Sequence, residues 1–431
     1  MDPITPEIFQ DTLEALGPLG ILLLGTIVVG AAILVGLRLA GRIDPTAFRR
    51  YAIGTGLGVG GTVVLLGTVG ILDVERTTVG DTTYRIEVGD DIEVYDNDAL
   101  ALSDGPYVFW ESDSLARVAS FCGRAPKATT VSASDTLRFE DPCTPSDTYA
   151  FPATPPTPDP AEYEGASRIF AVSDVEGHYD RFVNLLQAAG VVDDKAQWAW
   201  GDGHLVLAGD LVDRGTQVTE VLWLIHRLER QARRAGGRVH YILGNHEAML
   251  LRGDTRYANV KYNLVARRLN MTTPGLYGAD TELGRWLRTK PVMVRIDSLL
   301  FAHGGVSPTL GERNLSLAEI NEGIRGGLRY PMRSHTDPAV ELLFDDEGPL
   351  WYRGYFLEEE PRPRTFQSAL APFGAGRVVV GHTPVDSVQT RHDGIIVAID
   401  VGFREPEQGE GLLIEGGKFY RIDVQGTRDE L

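Results

Sequence analysis

Apolar and polar positions fall into three regimes along the chain. Pro18 to Leu37 and Tyr51 to Leu72 contain no charged residue. Wound as helices at about 1.5 Å per residue, runs of that length match the roughly 30 Å hydrocarbon layer of a membrane. The loop between them holds Arg38, Arg42, Arg49 and Arg50, and the positive-inside rule then leaves residues 1–17 and everything after Leu72 outside the cytoplasm. Gly54, Gly56, Gly58 and Gly60 give the second run small faces for close helix packing. The expectation is an integral, two-pass transmembrane hairpin. The acidic flank of Asp2, Glu7, Asp11 and Glu14 argues against a cleaved signal peptide, whose leading segment is basic.

Residues 73–150 form the second regime. Thr82 to Val88 and Asp91 to Tyr95 alternate apolar with polar side chains, and Tyr107-Val108-Phe109-Trp110 is rich in strand formers, which predicts a small antiparallel β-rich module. Cys122 and Cys143 are the only cysteines, and read either as a disulfide or as two unpaired thiols. Residues 151–165 carry Pro152, Pro155, Pro156, Pro158 and Pro160, the composition of a semi-rigid linker.

From 166 to 431 the pattern becomes strand, motif, helix. Arg168 to Val172 precedes Asp174-x-Glu176-Gly177-His178, and Leu205 to Ala208 precedes Gly209-Asp210-x-x-Asp213-Arg214-Gly215. His240 to Leu243 precedes Gly244-Asn245-His246-Glu247, Leu299 to Ala302 precedes His303-Gly304-Gly305, and Arg377 to Val380 precedes Gly381-His382. This alternation alone predicts an open, doubly wound α/β sheet, with ligands held at the carboxyl ends of its strands.

Composition changes the picture in one respect. With 41 basic against 60 acidic residues the formal charge is −19, which argues against a nucleic-acid partner held by phosphate contacts. An anionic substrate is not excluded, because a bound cation reverses the local sign. The motifs supply such a cation with carboxylates, an amide and imidazoles, a donor mixture that suits Mn, Fe or Zn. Two ions bridged by one carboxylate would acidify a shared water and clamp both oxygens of an in-line phosphoryl displacement.

In content and order these five motifs resemble the calcineurin-like metallophosphoesterases, and among them the phosphoprotein-phosphatase branch. The resemblance covers roughly Ile169 to Gly402. It implies a β-sandwich of two mixed sheets flanked by helices in place of the doubly wound sheet. Matched by position, Asp174, Glu176 and Asp210 would hold one metal, and Asp210, Asn245, His303 and His382 the other. His246 would protonate the leaving oxygen with Asp213 orienting its ring, and Arg214 would grip phosphate. Gly348 to Gly354 resembles the family's tryptophan-and-arginine loop, which makes Arg353 the second clamp.

One departure stands out. The family's first motif reads Asp-x-His-Gly, and here Glu176 occupies the histidine position with His178 two residues on as the alternative ligand. Three acidic donors favour a hard ion, so Mn²⁺ is expected ahead of Fe or Zn. The resulting expectation is a membrane-anchored two-metal phosphatase that acts outside the cytoplasm on phosphoproteins or small phosphoesters through a metal-bridging hydroxide. The alternatives are a pyrophosphatase acting on dinucleoside polyphosphates or nucleotide sugars, and a non-catalytic metal-binding sensor.

Overall fold

The computed structural model describes residues 84–87, 93–96, 101–329, 338–357, 362–403 and 408–431. Two compact units divide at Asp96. In the first, β1 (Tyr84–Glu87) pairs antiparallel with β2 (Glu93–Asp96), Tyr84 opposite Asp96. Both segments were marked by their alternation.

The expected integral membrane placement is corrected. Among the described residues no helix is long and apolar enough to cross a membrane. The physical reason is visible in helix Val218–Arg234, which has 17 residues and carries Glu220, Arg227, Glu229 and Arg230 along its length. Charges spaced in this way belong to a helix with one face on a protein core. The two charge-free runs, 18–37 and 51–72, lie outside the described residues.

The second unit begins with β3 (Leu102–Ser112), β4 (Leu115–Gly123) and β5 (Pro126–Ser132) in one antiparallel sheet. A hairpin of β6 (Thr136–Glu140) and β7 (Thr148–Pro152) follows. Cys122 and Cys143 are joined as a disulfide, their Cα atoms 5.5 Å apart. These strands are fastened to helix α2 (Val218–Arg234), which follows α1 (Tyr179–Ala188). Trp223 of α2 donates its indole N–H to Pro106 O at 2.8 Å, and its ring lies 5.0 Å from Tyr149 and 5.6 Å from Phe151. Trp110 reaches the other way, donating to Glu282 Oε2 at 2.8 Å. Phe109, Phe121, Leu137 and Phe151 therefore share one buried cluster with α1 and α2.

Two six-stranded mixed sheets form the rest. The short β8 (Glu162–Tyr163) lies at the edge of one sheet, and β9 (Arg168–Val172), β10 (His204–Leu207) and β11 (Arg238–Tyr241) run parallel in the other. In β8's sheet, β12 (Met293–Ile296) is antiparallel to β13 (Leu299–Ala302). Next come β14 (Arg377–Val380) parallel to β13, and β16 (Ile396–Ala398) with edge strand β15 (Gln389–Arg391). The sheet of β9 is completed by β17 (Glu410–Glu415), β18 (Lys418–Asp423) and β19 (Arg428–Glu430), antiparallel beyond β9.

Ile169, Ala171 and Val206 of one sheet meet Val294, Phe301, Val379 and Val397 of the other in a core between them. Alternate residues Phe170, Val172, Leu205 and Leu207 point outward into the helix-lined cluster. A strand covered by a sheet on one face and helices on the other reads as apolar throughout, as does a strand between two helix layers. The alternation of strands and helices thus fits both architectures, and the sandwich implied by the resemblance is the one formed.

Trp223 is the point at which β3, β7 and α2 meet, so Trp223→Ala is expected to cost about 3–5 kcal/mol. Urea denaturation monitored by near-UV circular dichroism measures it; a loss below about 1 kcal/mol would mean the strands are fastened elsewhere.

Candidate metal centre and active site

Parallel strands deliver their carboxyl ends to a common edge. Asp174 follows β9, Asp210 follows β10 and Asn245 follows β11, while His303 and His382 follow β13 and β14 of the facing sheet. The chain then turns sharply. Asp174, Glu176, Asp210, Asp213, Arg214 and His382 all have φ between 48° and 70°, a left-handed conformation uncommon outside glycine and asparagine and characteristic of strained functional loops. Neighbouring loops are zipped by backbone bonds, Asp174 N to Gly209 O and Glu176 N to Asp210 O, each 3.0 Å. Gly209 (φ 91°) is required because a Cβ there would stand 2.7 Å from His303 Nδ1 and 2.6 Å from the Gly244 Cα.

Asp174, Glu176, Asp210, Asn245, His246, His382, Arg214 and Arg353 line one cavity of about 450 Å³. At its floor His303 Nδ1 donates to Ala208 O at 2.8 Å. Its Nε2 faces Asn245 Oδ1 at 2.9 Å and Asp210 Oδ2 at 3.1 Å. His382 donates through Nε2 to Trp351 O at 3.1 Å, which leaves Nδ1 as the ring nitrogen with a lone pair. Ligand atoms of Asp210, His303 and His382 lie within 4.8 Å of one another. A buried carboxylate and two imidazoles drawn together at that spacing are a donor set that fits a divalent cation once His303 gives up its proton.

The electrostatics carry the same message. Burial pulls the His303 imidazole down, but the Asp210 carboxylate beside it and then Asp174 push it up to about 10. Burial raises Asp210, yet the imidazoles of His303 and His246 hold it below the usual carboxylate range. Burial and the charge of His303 drive His382 down.

His246 bonds through Nδ1 to Asp213 Oδ2 at 2.8 Å, and its Nε2 lies 3.7 Å from Asp210 Oδ2. Burial lowers its pKa, but the Asp210 charge and the Asp213 hydrogen bond raise it above the ordinary value. Arg214 donates to Glu176 Oε1, and Arg353 reaches Thr383 Oγ1 at 3.3 Å. Glu176 lines the cavity; His178 is absent from its lining and sits at the residue before α1, where its side chain makes no capping bond. His204 and His240 bond to each other, His226 to Glu282 and His392 to Tyr355 O.

Two residues of the site carry no role in the motif reading. Glu247, fully buried, accepts from the amides of Asp210, Leu211 and Gly244 and from the Tyr241 hydroxyl. Its place at the third residue of the helix that starts at Asn245, inside the Gly244-Asn245-His246 motif, was the available signal. Asp400 lines the cavity, and burial, then the Glu176 charge, push it up to about 7. It too leaves a strand's carboxyl end, after Ile396–Ala398.

A sequence model described as calcineurin-like phosphoesterase matches residues 167–386, just over half the chain. The chain belongs to that family. Its fold superposes on the cold-active protein-tyrosine phosphatase of a psychrophile Shewanella species with a TM-score of 0.72 at 35% identity, covering 77% of this chain and 99% of that one. Shewanella-like protein phosphatase 1 of Plasmodium berghei is 26% identical over 232 residues, 52% of this chain and 62% of that protein. The symmetrical bis(5'-nucleosyl)-tetraphosphatase of Tolumonas auensis is 29% identical over 194 residues, 44% of this chain and 57% of that enzyme. This calcineurin-like phosphoesterase, closest in kind to the phosphoprotein-phosphatase branch, is a metal-dependent phosphoester hydrolase, which sets aside the non-catalytic sensor.

Because His303 is held protonated well above its ordinary 6.5, a cation taken up there displaces a proton. At pH 8 about one proton is expected to leave per chain, falling away as pH rises past 10. Calorimetric titration with Mn²⁺ in buffers of different ionisation enthalpy reads this directly, and buffer-independent heats would contradict it. Before metal is added, the same pairing favours folding fully below about 6.5, and the contribution is lost as pH rises through about 10.

Proposed function

We propose that the chain hydrolyses phosphomonoesters in the manner of a protein phosphatase, with Mn²⁺ its preferred ion. The observation that carries this reading is one cavity holding a buried Asp210, His303 and His382 cluster beside the His246 and Asp213 pair, with Arg214 and Arg353 at its rim. Asp210, Asn245, His303 and His382 would hold one ion and Asp174 with Asp210 the second, while Glu176, expected as the third ligand of that ion, is engaged by Arg214. Bound divalent ions polarise a phosphoryl group and acidify water.

The protein's own groups do the rest. Arg214 and Arg353 present guanidinium forks matched to phosphate oxygens and fix the phosphoryl group over Asp210. Asp213 holds the His246 ring by its Nδ1–H, so that Nε2 faces the cavity. The raised pKa favours the protonated form of that nitrogen, from which a proton can pass to the departing alkoxide or phenoxide. Burial of the pair excludes water that would compete for the Asp213 bond.

Pyrophosphate-bond cleavage is the second reading, favoured by the similarity to a tetraphosphatase. Comparing a phosphopeptide with a dinucleoside polyphosphate at equal concentration separates the two by relative kcat/KM.

Purified protein with Mn²⁺ is expected to hydrolyse an aryl phosphate at a rate that Asp210→Ala abolishes; equal rates for the two proteins would sink the reading. His246→Ala should lower kcat by about 10²–10⁴-fold, more for an alkyl phosphate than for an activated aryl one. The Asp213 carboxylate raises the His246 pKa, so Asp213→Asn should move the alkaline limb of the kcat profile to lower pH. A limb left in place would remove His246 as the acid.

A further inference from the structure

The Arg214 guanidinium does not enter the cavity alone. Its Nη1 donates to Glu176 Oε1, with 33% of the arginine side chain and 7% of the glutamate side chain exposed. Both partners are fixed from behind. Glu176 N donates to Asp210 O at 3.0 Å, and Gly215 N returns a bond to Glu176 O at 2.8 Å. On the arginine side, Arg214 N donates to Tyr257 O at 2.9 Å and Asn259 Nδ2 donates to Arg214 O at 2.8 Å. The Tyr257 ring lies 5.5 Å from the guanidinium carbon. The carboxylate and the guanidinium are thus carried on two loops bonded to each other, and their pairing is built into the backbone.

From this geometry we infer that Glu176 is a positioning and specificity-determining residue that holds the phosphate-gripping Arg214 and weakens its hold on dianionic phosphate. The inference rests on the phosphatase reading. An oxyanion taking Arg214 must share or displace the Glu176 oxygen, and it approaches a second negative charge as it does so. Coulomb repulsion scales with the product of charges, so a dianion is penalised about twice as much as a monoanion at the same place. Glu176 therefore keeps the half-exposed arginine aimed into the cavity and limits the affinity for released inorganic phosphate.

The test uses the full chain and four proteins: wild type, Glu176→Gln, Arg214→Ala and the double variant. Inorganic phosphate and dimethyl phosphate are the probes, bound to chelator-treated protein by calorimetry and, as inhibitors, to Mn²⁺-loaded enzyme. Glu176→Gln is expected to bind inorganic phosphate about tenfold tighter, the scale of one charge-assisted contact. Dimethyl phosphate should gain less. In the Arg214→Ala background the same substitution should change phosphate affinity less than about twofold, since coupling vanishes when one partner is gone. The KM for an aryl phosphate should fall with the phosphate inhibition constant, while Mn²⁺ content stays at the wild-type value.

Phosphate affinity that is unchanged, weakened or undetectable in Glu176→Gln overturns the inference, as does loss of an ion, which would make Glu176 a metal ligand instead. An equal effect in both Arg214 backgrounds also overturns it. Thermal midpoints check that each variant is folded, and Glu176→Ala, which removes the aiming bond as well as the charge, should tighten phosphate less than Glu176→Gln; an equal or larger gain would remove the positioning role. Failure of the phosphatase reading would be seen separately, as absent turnover in the wild type.

Discussion

Glu247 is the constraint on which the site depends. Its carboxylate lies wholly inside the protein and is satisfied by three backbone amides at 2.7–2.9 Å and the Tyr241 hydroxyl at 3.0 Å. A buried carboxylate is costly unless every lone pair is engaged. Here the donors come from the loop after β10 and the turn after β11, so satisfying one side chain locks two loops against each other. Asp210 then points where its Oδ1 accepts the His246 amide at 2.9 Å and its Oδ2 meets His303. The left-handed backbone at Asp210, Asp213 and Arg214 costs of order 1–3 kcal/mol per residue and persists because such anchors over-determine it.

The sheets supply the second requirement, which is proximity without contact in sequence. Asp174 and His382 are 208 residues apart, yet the His382 amide donates to Asp174 Oδ2 at 3.1 Å. Two sheets packed face to face, each with parallel strands ending at the same edge, bring five loops to one site. Their inner faces are built from Ala171, Val206, Val379 and Val397, small and branched side chains that let the sheets approach closely.

Much of the site was legible because chemistry concentrates at strand ends, where polar residues interrupt an otherwise apolar run. Asp174, Glu176, Asp210, Asn245, His246, Arg214, Arg353 and His382 all line the cavity, and His303 joins them at its floor. Other features have no local signature. The Glu176 and Arg214 pair joins residues 38 apart, so neither side chain announces its partner. Asp400 stands alone between apolar neighbours, and a single carboxylate in such a run reads as an ordinary turn. The sandwich was hidden for a different reason: strands buried on both faces carry the same apolar pattern whatever covers them. Of the strands β3–β7 only Tyr107 to Trp110 of β3 was marked by its composition, and their attachment through Trp223 to α2 is a tertiary fact that alternation does not encode.

Charge balance explains why an acid-rich cavity belongs to an enzyme of anions. Asp174, Glu176, Asp210 and Asp400 face one space with Arg214 and Arg353 as its guanidinium groups. Burial and the Asp400 charge raise Asp174 well above the carboxylate range, and burial with the Glu176 charge lifts Asp400. Like charges confined together resist ionising. Asp210 alone among these three is held low, by the imidazoles around it. The acids thus differ in their readiness to carry charge before any ligand arrives, and divalent cations would reverse the balance by stabilising the ionised forms of those they reach. Arg214 is paired with Glu176, so the cavity gains less net positive charge from it than from an unpaired guanidinium. On the proposed reading, attraction for phosphate would follow how fully the carboxylates are occupied by cations, tying substrate binding to metal loading through electrostatics.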